Sequence, residues 1–282
     1  MLFIFFLILL IIYTILESGD CMNKDKQYFY YQAVVDIARG ESDNHYHNNY
    51  EIYYLTKGQC WYFIDKHSYL LSEGDIALIP LGAIHRTGYE TPTHSRILIN
   101  CGEWFVPTSV RDKISDLPIF TVNPTIRKQI ERIFSSIEKE YRKPDEFSKD
   151  SIRTQVMQLL LIIARESLKD KKQKTESPIV EKAVKYISEQ YHNNVTLDDI
   201  STACYVSREH LSRTFKRETG FGVNEYLNLY RLKKADALLR DRPDLRVVDI
   251  ALRCGYNDSN YFSKVYKKMF GISPKQTQKS EE

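Results

Sequence analysis

The chain lacks the cysteine patterns that mark zinc sites and secreted disulfide frameworks. It contains 5 Cys in 282 residues, and none of them forms a CxxC pair or another spacing typical of a structural zinc site. Small secreted domains that depend on disulfides use cysteine far more densely. We therefore expect reduced thiols in a cytoplasmic protein.

No single sign of charge dominates, since the formal net charge is only +3. The charge is nevertheless unevenly distributed. Residues 179–282 hold 18 Lys and Arg against 14 Asp and Glu, a net +4, whereas the rest of the chain holds 22 against 23, a net −1. The C-terminal third therefore has the modest basic character that contact with phosphates requires.

The sequence has one long apolar run, residues 2–16. The run is shorter than the roughly 20 residues that a membrane-spanning helix needs. It also lacks the preceding positive charge of a secretory signal. We interpret residues 1–21 as an extension produced by a wrongly assigned start codon, with a short membrane anchor and a processed signal as the alternatives.

What the chain does contain is an internal repeat. The segments YVS, LSR, FKR and a glycine within 205–220 recur as YND, FSK, YKK and a glycine within 256–271, at an offset of about 51 residues. A repeat of this kind indicates one packing unit used twice. Apolar residues at helical spacing predict a short first helix in each copy, at 197–204 and 247–254.

A second helix follows a short turn in each copy. It begins at a residue whose side chain can accept hydrogen bonds from free backbone N–H groups, Ser207 or Asp258. It ends near a glycine suited to a left-handed helix end, Gly220 or Gly271. The pattern predicts two helix-turn-helix units, at 197–218 and 247–270.

The 3.6-residue period decides which face of each second helix is exposed. Leu211 and Phe215, like Phe262 and Tyr266, point into the core, so polar side chains face outward. Arg, Lys, Asn and hydroxyl side chains suit base edges and phosphates. Two solvated helix faces are the alternative, which the repetition disfavours. The candidate DNA-binding residues are Arg208, Glu209, Ser212, Arg213 and Lys216 in the first copy and Ser259, Asn260, Ser263, Lys264 and Lys267 in the second.

Residues 179–277 resemble the DNA-binding domain of the arabinose-regulator (AraC/XylS) type of bacterial transcription factors. The resemblance rests on SREHLSRTFKRETG at 207–220, YRL at 230–232, DIA at 249–251, CGY at 254–256 and YFSKVYKKMFGISP at 261–274. It implies seven helices, with a long helix at 222–240 that separates the two reading helices. It also implies sequence-specific binding to double-stranded promoter DNA, contact with RNA polymerase, and base reading by Glu209, Ser212, Arg213, Ser259, Asn260, Ser263 and Lys264.

Residues 28–121 consist of short apolar and aromatic runs separated by turn residues. This pattern predicts a β-barrel or a double sheet. Two stretches, from His45 to Gly58 and from Gly74 to His85, resemble the two motifs of the cupin barrel, although no asparagine follows His85. In enzymatic cupins the equivalents of His45, His47, Glu51 and His85 hold a divalent metal. Retained packing and hydrogen bonding is the other interpretation, and we expect no metal and no other cofactor.

A barrel interior rich in aromatic rings would suit a small ligand, a sugar or another metabolite. We expect about half of the rings of Tyr50, Tyr54, Trp61, Tyr62 and Phe63 to face elsewhere. The candidate ligand-binding residues are His45, His47, Glu51, Tyr54, Trp61 and His85.

Residues 124–169 return to helical periodicity in two segments. Packing on the barrel and a dimer contact, as similar helices provide in the family, are equally supported. Residues 170–178 form a charged linker.

The sequence therefore predicts an α+β chain with a cupin-like barrel, a helical pair and an all-α double helix-turn-helix domain. We interpret it as a cytoplasmic, homodimeric transcription factor that responds to a small-molecule effector, activation being the commoner role in the family. We expect no catalytic residues. The alternative is a metal-dependent cupin enzyme with a helical interaction module.

Overall fold

The computed structural model describes residues 29–38, 49–116, 118–166 and 177–279. These residues form eight strands and ten α-helices, with the strands in the N-terminal part and a purely helical C-terminal part. The predicted extension 1–21, His45, His47 and most of the predicted linker lie outside the described residues. The predicted α+β class with two domains is confirmed.

The strands form two antiparallel sheets that face each other. The five-stranded sheet has the order β1-β7-β2-β5-β8 and the three-stranded sheet the order β4-β3-β6. Hydrogen bonds do not join the two sheets into a closed ladder within the described residues, so this domain is a double sheet rather than a continuous barrel. The strands are β1 Phe29–Ala38, β2 Tyr50–Lys57, β3 Gln59–Ile64, β4 His67–Ser72, β5 Asp75–Ile79, β6 His85–Tyr89, β7 Thr93–Cys101 and β8 Ile119–Thr121.

Side chains on the five-stranded sheet alternate between two apolar clusters. On β2, Ile52 and Tyr54 pack on the helical side, whereas Tyr53 and Leu55 pack between the sheets. Successive side chains of a strand point to opposite faces, so one strand supplies both clusters. We call the space between the two sheets, onto which Glu51, Tyr53 and Leu55 face, the sensor interior.

Three helices follow the strands, α1 Thr108–Asp116, α2 Pro124–Arg142 and α3 Ser148–Glu166. The predicted apolar stripes of α2 and α3 are buried against the outer face of the five-stranded sheet. The ring of Phe134 on α2 stacks on Tyr54, with ring centroids 5.2 Å apart. Packing of the helical pair on the sheet is therefore confirmed. None of the helices within the described ranges is both long and apolar enough to cross a membrane.

The C-terminal domain has the seven helices that the resemblance implied. Two apolar clusters hold it together, and the long helix α7 contributes to both, Tyr226 and Leu227 to the first and Leu232 and Leu239 to the second. The helices are α4 Pro178–Gln190, α5 Leu197–Cys204, α6 Arg208–Thr219, α7 Val223–Asp241, α8 Val247–Arg253, α9 Ser259–Phe270 and α10 Pro274–Lys279.

The repeat has two offsets rather than one. Before the turn, the left-handed residues Tyr205 (φ 60°) and Gly255 (φ 81°) correspond at an offset of 50. After it, the N-caps Ser207 and Asp258 correspond at 51. The second turn is therefore one residue longer, and the Tyr205–Tyr256 match suggested by sequence identity is not a structural match.

Candidate functional site: reading helices and sensor interior

Helix α6 presents a polar face to solvent. The hydroxyl of its N-cap Ser207 accepts a hydrogen bond from the backbone N–H of His210 at 3.2 Å, which fixes where the helix begins. Leu211 and Phe215 are fully buried on the opposite side. The candidate residues Arg208, Glu209, Arg213 and Lys216 are exposed and Ser212 is half-buried.

The basic side chains of α6 make only weak contacts within the protein. Arg208 Nε lies 3.2 Å from Asp198, with both side chains more than half exposed, and Lys216 Nζ lies 4.0 Å from Glu225. Exposed ion pairs contribute little to stability. These side chains can therefore turn towards a phosphate at small energetic cost.

Glu209 lies in the first turn of α6. Its own backbone N–H and the Ser207 hydroxyl hold the pKa of its carboxyl below the usual range. A carboxylate also interacts favourably with the positive end of a helix. Glu209 thus remains ionised, in the form that accepts a hydrogen bond from a cytosine amino group.

Helix α9 repeats the arrangement of α6. Asp258 accepts a hydrogen bond from the backbone N–H of Asn260 at 2.7 Å, and Phe262 and Tyr266 are fully buried. Both helices end at a left-handed glycine, Gly220 with φ 78° and Gly271 with φ 71°. The outward residues are Ser259, Asn260, Ser263, Lys264 and Lys267.

Buried polar contacts fix α9 to the long helix α7. The Tyr266 hydroxyl donates to Asp236 at 2.5 Å and lies 2.9 Å from the Thr277 hydroxyl. Asp236 also pairs with Arg240 at 3.0 Å. Because α7 belongs to the cores of both helix-turn-helix units, the two reading helices are held by one rod of 19 residues, which is about 28 Å long.

The sensor interior contains a buried polar cluster. The Tyr62 hydroxyl donates to Glu51, and His85 Nε2 lies 3.7 Å from the second carboxylate oxygen. His85 Nδ1 lies 2.9 Å from the carbonyl oxygen of Ala83. Burial lowers the pKa of His85, but the Glu51 carboxylate outweighs it and the net pKa is raised.

Strand β7 adds three polar side chains on the same face, His94, Arg96 and Asn100. Leu98, between them in the alternation, packs against the apolar cluster between the sheets, which places this face of β7 towards the interior. Arg96 Nε and Nη1, His94 Nδ1 and Asn100 Oδ1 are buried and have no hydrogen-bond partner among the described residues.

The predicted ligand residues divide into three groups. Glu51 and His85 meet in the interior, and His45 and His47 lie outside the described residues. Tyr54 faces the helices instead, and Trp61 lies on the outer face of the three-stranded sheet, because Tyr62 beside it points inward.

The interior residues that sequence reasoning missed are Tyr53, His94, Arg96 and Asn100. The sequence THSRILINC of β7 did carry a signal for these residues. Polar residues alternate along it at 94, 96 and 100, with Leu98 as the exception, which is the pattern of a strand with one polar face.

Among the described residues, no group of three or more His, Cys, Asp or Glu side chains is arranged to hold a metal ion. His85 is the imidazole next to Glu51, and that carboxylate also accepts a hydrogen bond from Tyr62. Within the described residues these side chains are fewer than the three or four ligands of a typical protein metal site, and the other two candidates, His45 and His47, lie outside that part of the chain.

The outer face of the three-stranded sheet docks on the first helix-turn-helix unit. Phe63, only 2% exposed, packs edge-on against Phe221 and Tyr226 with ring centroids 6.0 Å away in each case. Arg86 donates from Nη1 to the carbonyl oxygen of Gly220 at 2.5 Å, and its guanidinium lies 5.5 Å from the centre of the Phe221 ring. We call these contacts the docking surface.

Polar contacts extend the docking surface. The Ser68 hydroxyl donates to the carbonyl oxygen of Glu218 at 2.6 Å. The Tyr226 hydroxyl donates to the carbonyl oxygen of Asp65 at 2.8 Å, and Lys233 lies 3.5 Å from the Asp65 carboxylate. The docking surface thus involves the C-terminal end of α6 and the first half of α7, and leaves the reading residues of α6 exposed.

Comparison with known proteins agrees with this architecture. A family model described as an AraC-like ligand binding domain matches residues 36–157, and one described as a helix-turn-helix domain matches residues 200–280. The chain is 24% identical over 250 residues to the HTH-type transcriptional activator RhaS of Shigella sonnei (strain Ss046), covering 85% of this chain and 88% of that relative.

Two further relatives match a smaller part of the chain. The RhaS activator of Escherichia coli (strain SMS-3-5 / SECEC) is 31% identical over 154 residues, 55% of each chain. The solved C-terminal domain of AraT, a response regulator from Geobacillus stearothermophilus, is 36% identical, with 37% of this chain and 86% of that chain covered and a TM-score of 0.36. The chain therefore belongs to the AraC-type family of transcription regulators, and it is a DNA-binding, ligand-responsive member with an N-terminal sensor domain.

Proposed function

We propose that this regulator activates transcription from a promoter when a small hydroxylated metabolite binds the sensor interior. The relatives named above as RhaS are transcriptional activators. The proposal includes cytoplasmic location, a homodimer and contact with RNA polymerase. It includes no catalytic residue, because the interior offers a hydrogen-bonding surface rather than a nucleophile with an adjacent base.

The observation that carries the proposal is the double role of strands β3 and β6. Tyr62 and His85 point into the sensor interior, and their neighbours Phe63 and Arg86 point the other way, into the docking surface. A strand is a stiff unit whose successive residues serve opposite faces. A shift of these strands on ligand binding would therefore displace the residues that contact the DNA-binding domain.

Coupling requires that the ligand bind the docked and undocked arrangements with different affinity. Tyr62 and His85 would supply that difference, since both already hydrogen-bond or pair with Glu51 inside a packed interior. A ligand hydroxyl that competes for Glu51 would change the position of either strand. The sheet then acts as the two-state element between ligand and DNA.

For DNA, we propose that α6 and α9 enter successive major-groove segments on one side of the duplex, in the way known for helix-turn-helix proteins. Arg213 and Asn260 would read bases, and Lys216 and Lys267 would contact phosphates. The exposure of these side chains and the single rod between the two helices support this assignment.

The helical pair α2 and α3 would supply the homodimer contact. Its inner stripe is already used against the sheet, so a partner would meet the outer face of α3. Leu161, 36% exposed, lies there between Gln158 and Arg165 at helical spacing. Replacement of Leu161 by Glu should shift the protein towards monomer in analytical ultracentrifugation, and an unchanged sedimentation coefficient would move the dimer contact elsewhere.

Genome-wide mapping of DNA bound by the full-length protein tests the proposed function. We expect enrichment at a small number of promoters and salt-sensitive binding of those fragments in gel shifts, because phosphate contacts release counterions. Binding spread evenly over the genome, or no binding that falls with added salt, would contradict the proposal.

A further inference from the structure

We propose that the effector is a hydroxylated carboxylic acid of the sugar-acid class, whose carboxylate pairs with Arg96 in the sensor interior. This inference rests on the proposed function of the interior as the ligand site. The first observation is the interior face of β7. His94, Arg96 and Asn100 are separated by even numbers of residues along this strand and therefore share one face.

The guanidinium of Arg96 is next to the Tyr89 hydroxyl but remains incompletely hydrogen-bonded. Its Nε and Nη1 atoms are buried without a hydrogen-bond partner, and no carboxylate lies within ion-pair distance of it among the described residues. Buried charges in proteins are normally paired, because loss of hydration is costly. Each of these two N–H groups can donate a hydrogen bond to a carboxylate oxygen, and a charge-assisted bond of this kind is stronger than one between neutral groups.

The other carboxylate of the interior is already engaged. Glu51 accepts from Tyr62 and lies 3.7 Å from His85, whereas Arg96 is placed over the ring of Tyr53 at 5.8 Å. The neighbouring hydroxyls of Tyr89 and Tyr53 and the more distant Glu51 are what raise the pKa of Arg96 against burial. Since no acidic group pairs with Arg96 among the described residues, we assign that role to the ligand.

Two further atoms on this face can form hydrogen bonds with hydroxyl groups. Asn100 Oδ1 is a buried acceptor without a donor, and His94 Nδ1 is a buried ring nitrogen without a partner. His94 stacks on Tyr89 with ring centroids 3.5 Å apart. Burial and the Arg96 charge lower the pKa of His94, which favours the neutral ring, whose free nitrogen can accept a hydrogen bond from a hydroxyl.

The charges in the sensor interior favour a ligand carboxylate over a ligand phosphate. Arg96 provides one positive charge, and Glu51 is a negative charge in the same interior. One carboxylate neutralises Arg96, whereas the second charge of a phosphomonoester would face Glu51 in a site of low dielectric constant. A sugar phosphate should therefore bind less well than a sugar acid of the same ring.

Isothermal titration of the full-length protein with four probes tests the inference: galacturonate, glucuronate, galactose and glucose 6-phosphate. We expect a uronate to bind at least about tenfold more tightly than galactose and glucose 6-phosphate. Arg96→Gln should lower uronate affinity by about tenfold or more, Arg96→Lys should lower it less, and the exposed Arg132→Gln should leave it unchanged.

A second measurement covers the case in which Arg96→Gln binds poorly because it folds poorly. Arg96→Met should raise the midpoint of thermal unfolding of the ligand-free protein, since it removes an unpaired buried charge and keeps the packing of the side chain. Any of three results would overturn the inference. These are uronate affinity that Arg96→Gln leaves unchanged, galactose affinity equal to that of the uronates, and no uronate binding up to about 10 mM. Promoter binding by the same preparation would still support the proposed function in each of these cases.

Discussion

Arg213 is the side chain for which a loss of base contact is easiest to measure. It is exposed on the outward face of α6, and its Nη2 atom lies 3.5 Å from the Nδ1 atom of His210, so its removal leaves the core of the unit intact. Arg213→Ala should weaken binding to a mapped promoter site by about 1 to 3 kcal/mol and relax the base preference at one position. Gel shifts with Arg132→Ala as control check this, and equal affinity of Arg213→Ala and wild type would remove Arg213 from the reading residues.

A pH dependence is expected from His85. Its raised pKa means that the folded protein holds the imidazole proton more tightly than the unfolded chain, where the pKa is about 6.5. The stabilisation by the His85–Glu51 pair is thus fully present below that value and is lost as the pH rises through the raised pKa. The difference in thermal midpoint between wild type and His85→Gln should be largest at low pH and shrink as the pH rises.

The matched control for this pH series is His192→Gln, because His192 is exposed on the DNA-binding domain. Its midpoint should differ little from that of wild type, because replacement of an exposed side chain usually has a small effect on stability. A His85→Gln difference that grows with rising pH would show that the imidazole is not stabilised in its charged form.

At the level of single residues, exposure on the reading helices could be predicted, and orientation in the sensor could not. Leu211, Phe215, Phe262 and Tyr266 are buried as the helical period predicts. Tyr54 was assigned to the interior because both faces of β2 are apolar and buried, so alternation gives no contrast between them.

Gly220 ends α6 in the left-handed conformation and is also part of the docking surface. A methyl group on Gly220 would lie 2.6 Å from Arg86 Cδ, and its φ of 78° is unfavourable for alanine. Gly220→Ala should therefore destabilise the protein by more than the about 1 to 2 kcal/mol expected for the backbone alone. Denaturant unfolding measures the cost.

Gly271→Ala is the matched control, because Gly271 ends α9 with φ 71° in the second unit. The extra cost at Gly220 should fall in an Arg86→Ala background, where the crowded side chain is absent. If the two Gly→Ala replacements destabilise the otherwise wild-type protein equally, the docking surface accommodates the added methyl group at Gly220 without strain.

Among the elements, helices were predicted best and the turn was predicted worst. The bounds of α5, α6, α7 and α9 agree with apolar period and capping residues within a residue or two. The extra residue of the second turn was missed because identical tyrosines were matched, although Tyr205 is 87% exposed and Tyr256 is buried. Gly255, which can take the left-handed conformation freely, was the better guide.

At the scale of the molecule, the two domains are joined by the docking surface as well as by the chain. Phe63→Ser would remove the ring that packs edge-on against Phe221 and Tyr226 and would place a polar group in that aromatic cluster. We expect this variant to separate the domains and to raise the radius of gyration in small-angle X-ray scattering. Val35→Ser, at a position 75% exposed on β1, is the control, and an unchanged radius for Phe63→Ser would argue against docking in solution.

Sequence reasoning had no access to the docking surface. Its contacts join residues far apart in the chain, such as Ser68 with Glu218 and Arg86 with Gly220, and each strand involved reads as an ordinary half-buried strand. The two-domain order, in contrast, follows from a change of period along the chain, from short runs to helical stripes.

If the three-stranded sheet transmits the effector signal as proposed, it also gives the promoter an influence on the sensor. Thermodynamic linkage is reciprocal. If the effector increases the affinity for DNA by a given factor, DNA increases the affinity for the effector by the same factor. Effector titrations with and without a mapped promoter fragment should thus differ by that same ratio. A regulator already seated at its promoter would then respond to a lower metabolite concentration than one that is free in solution.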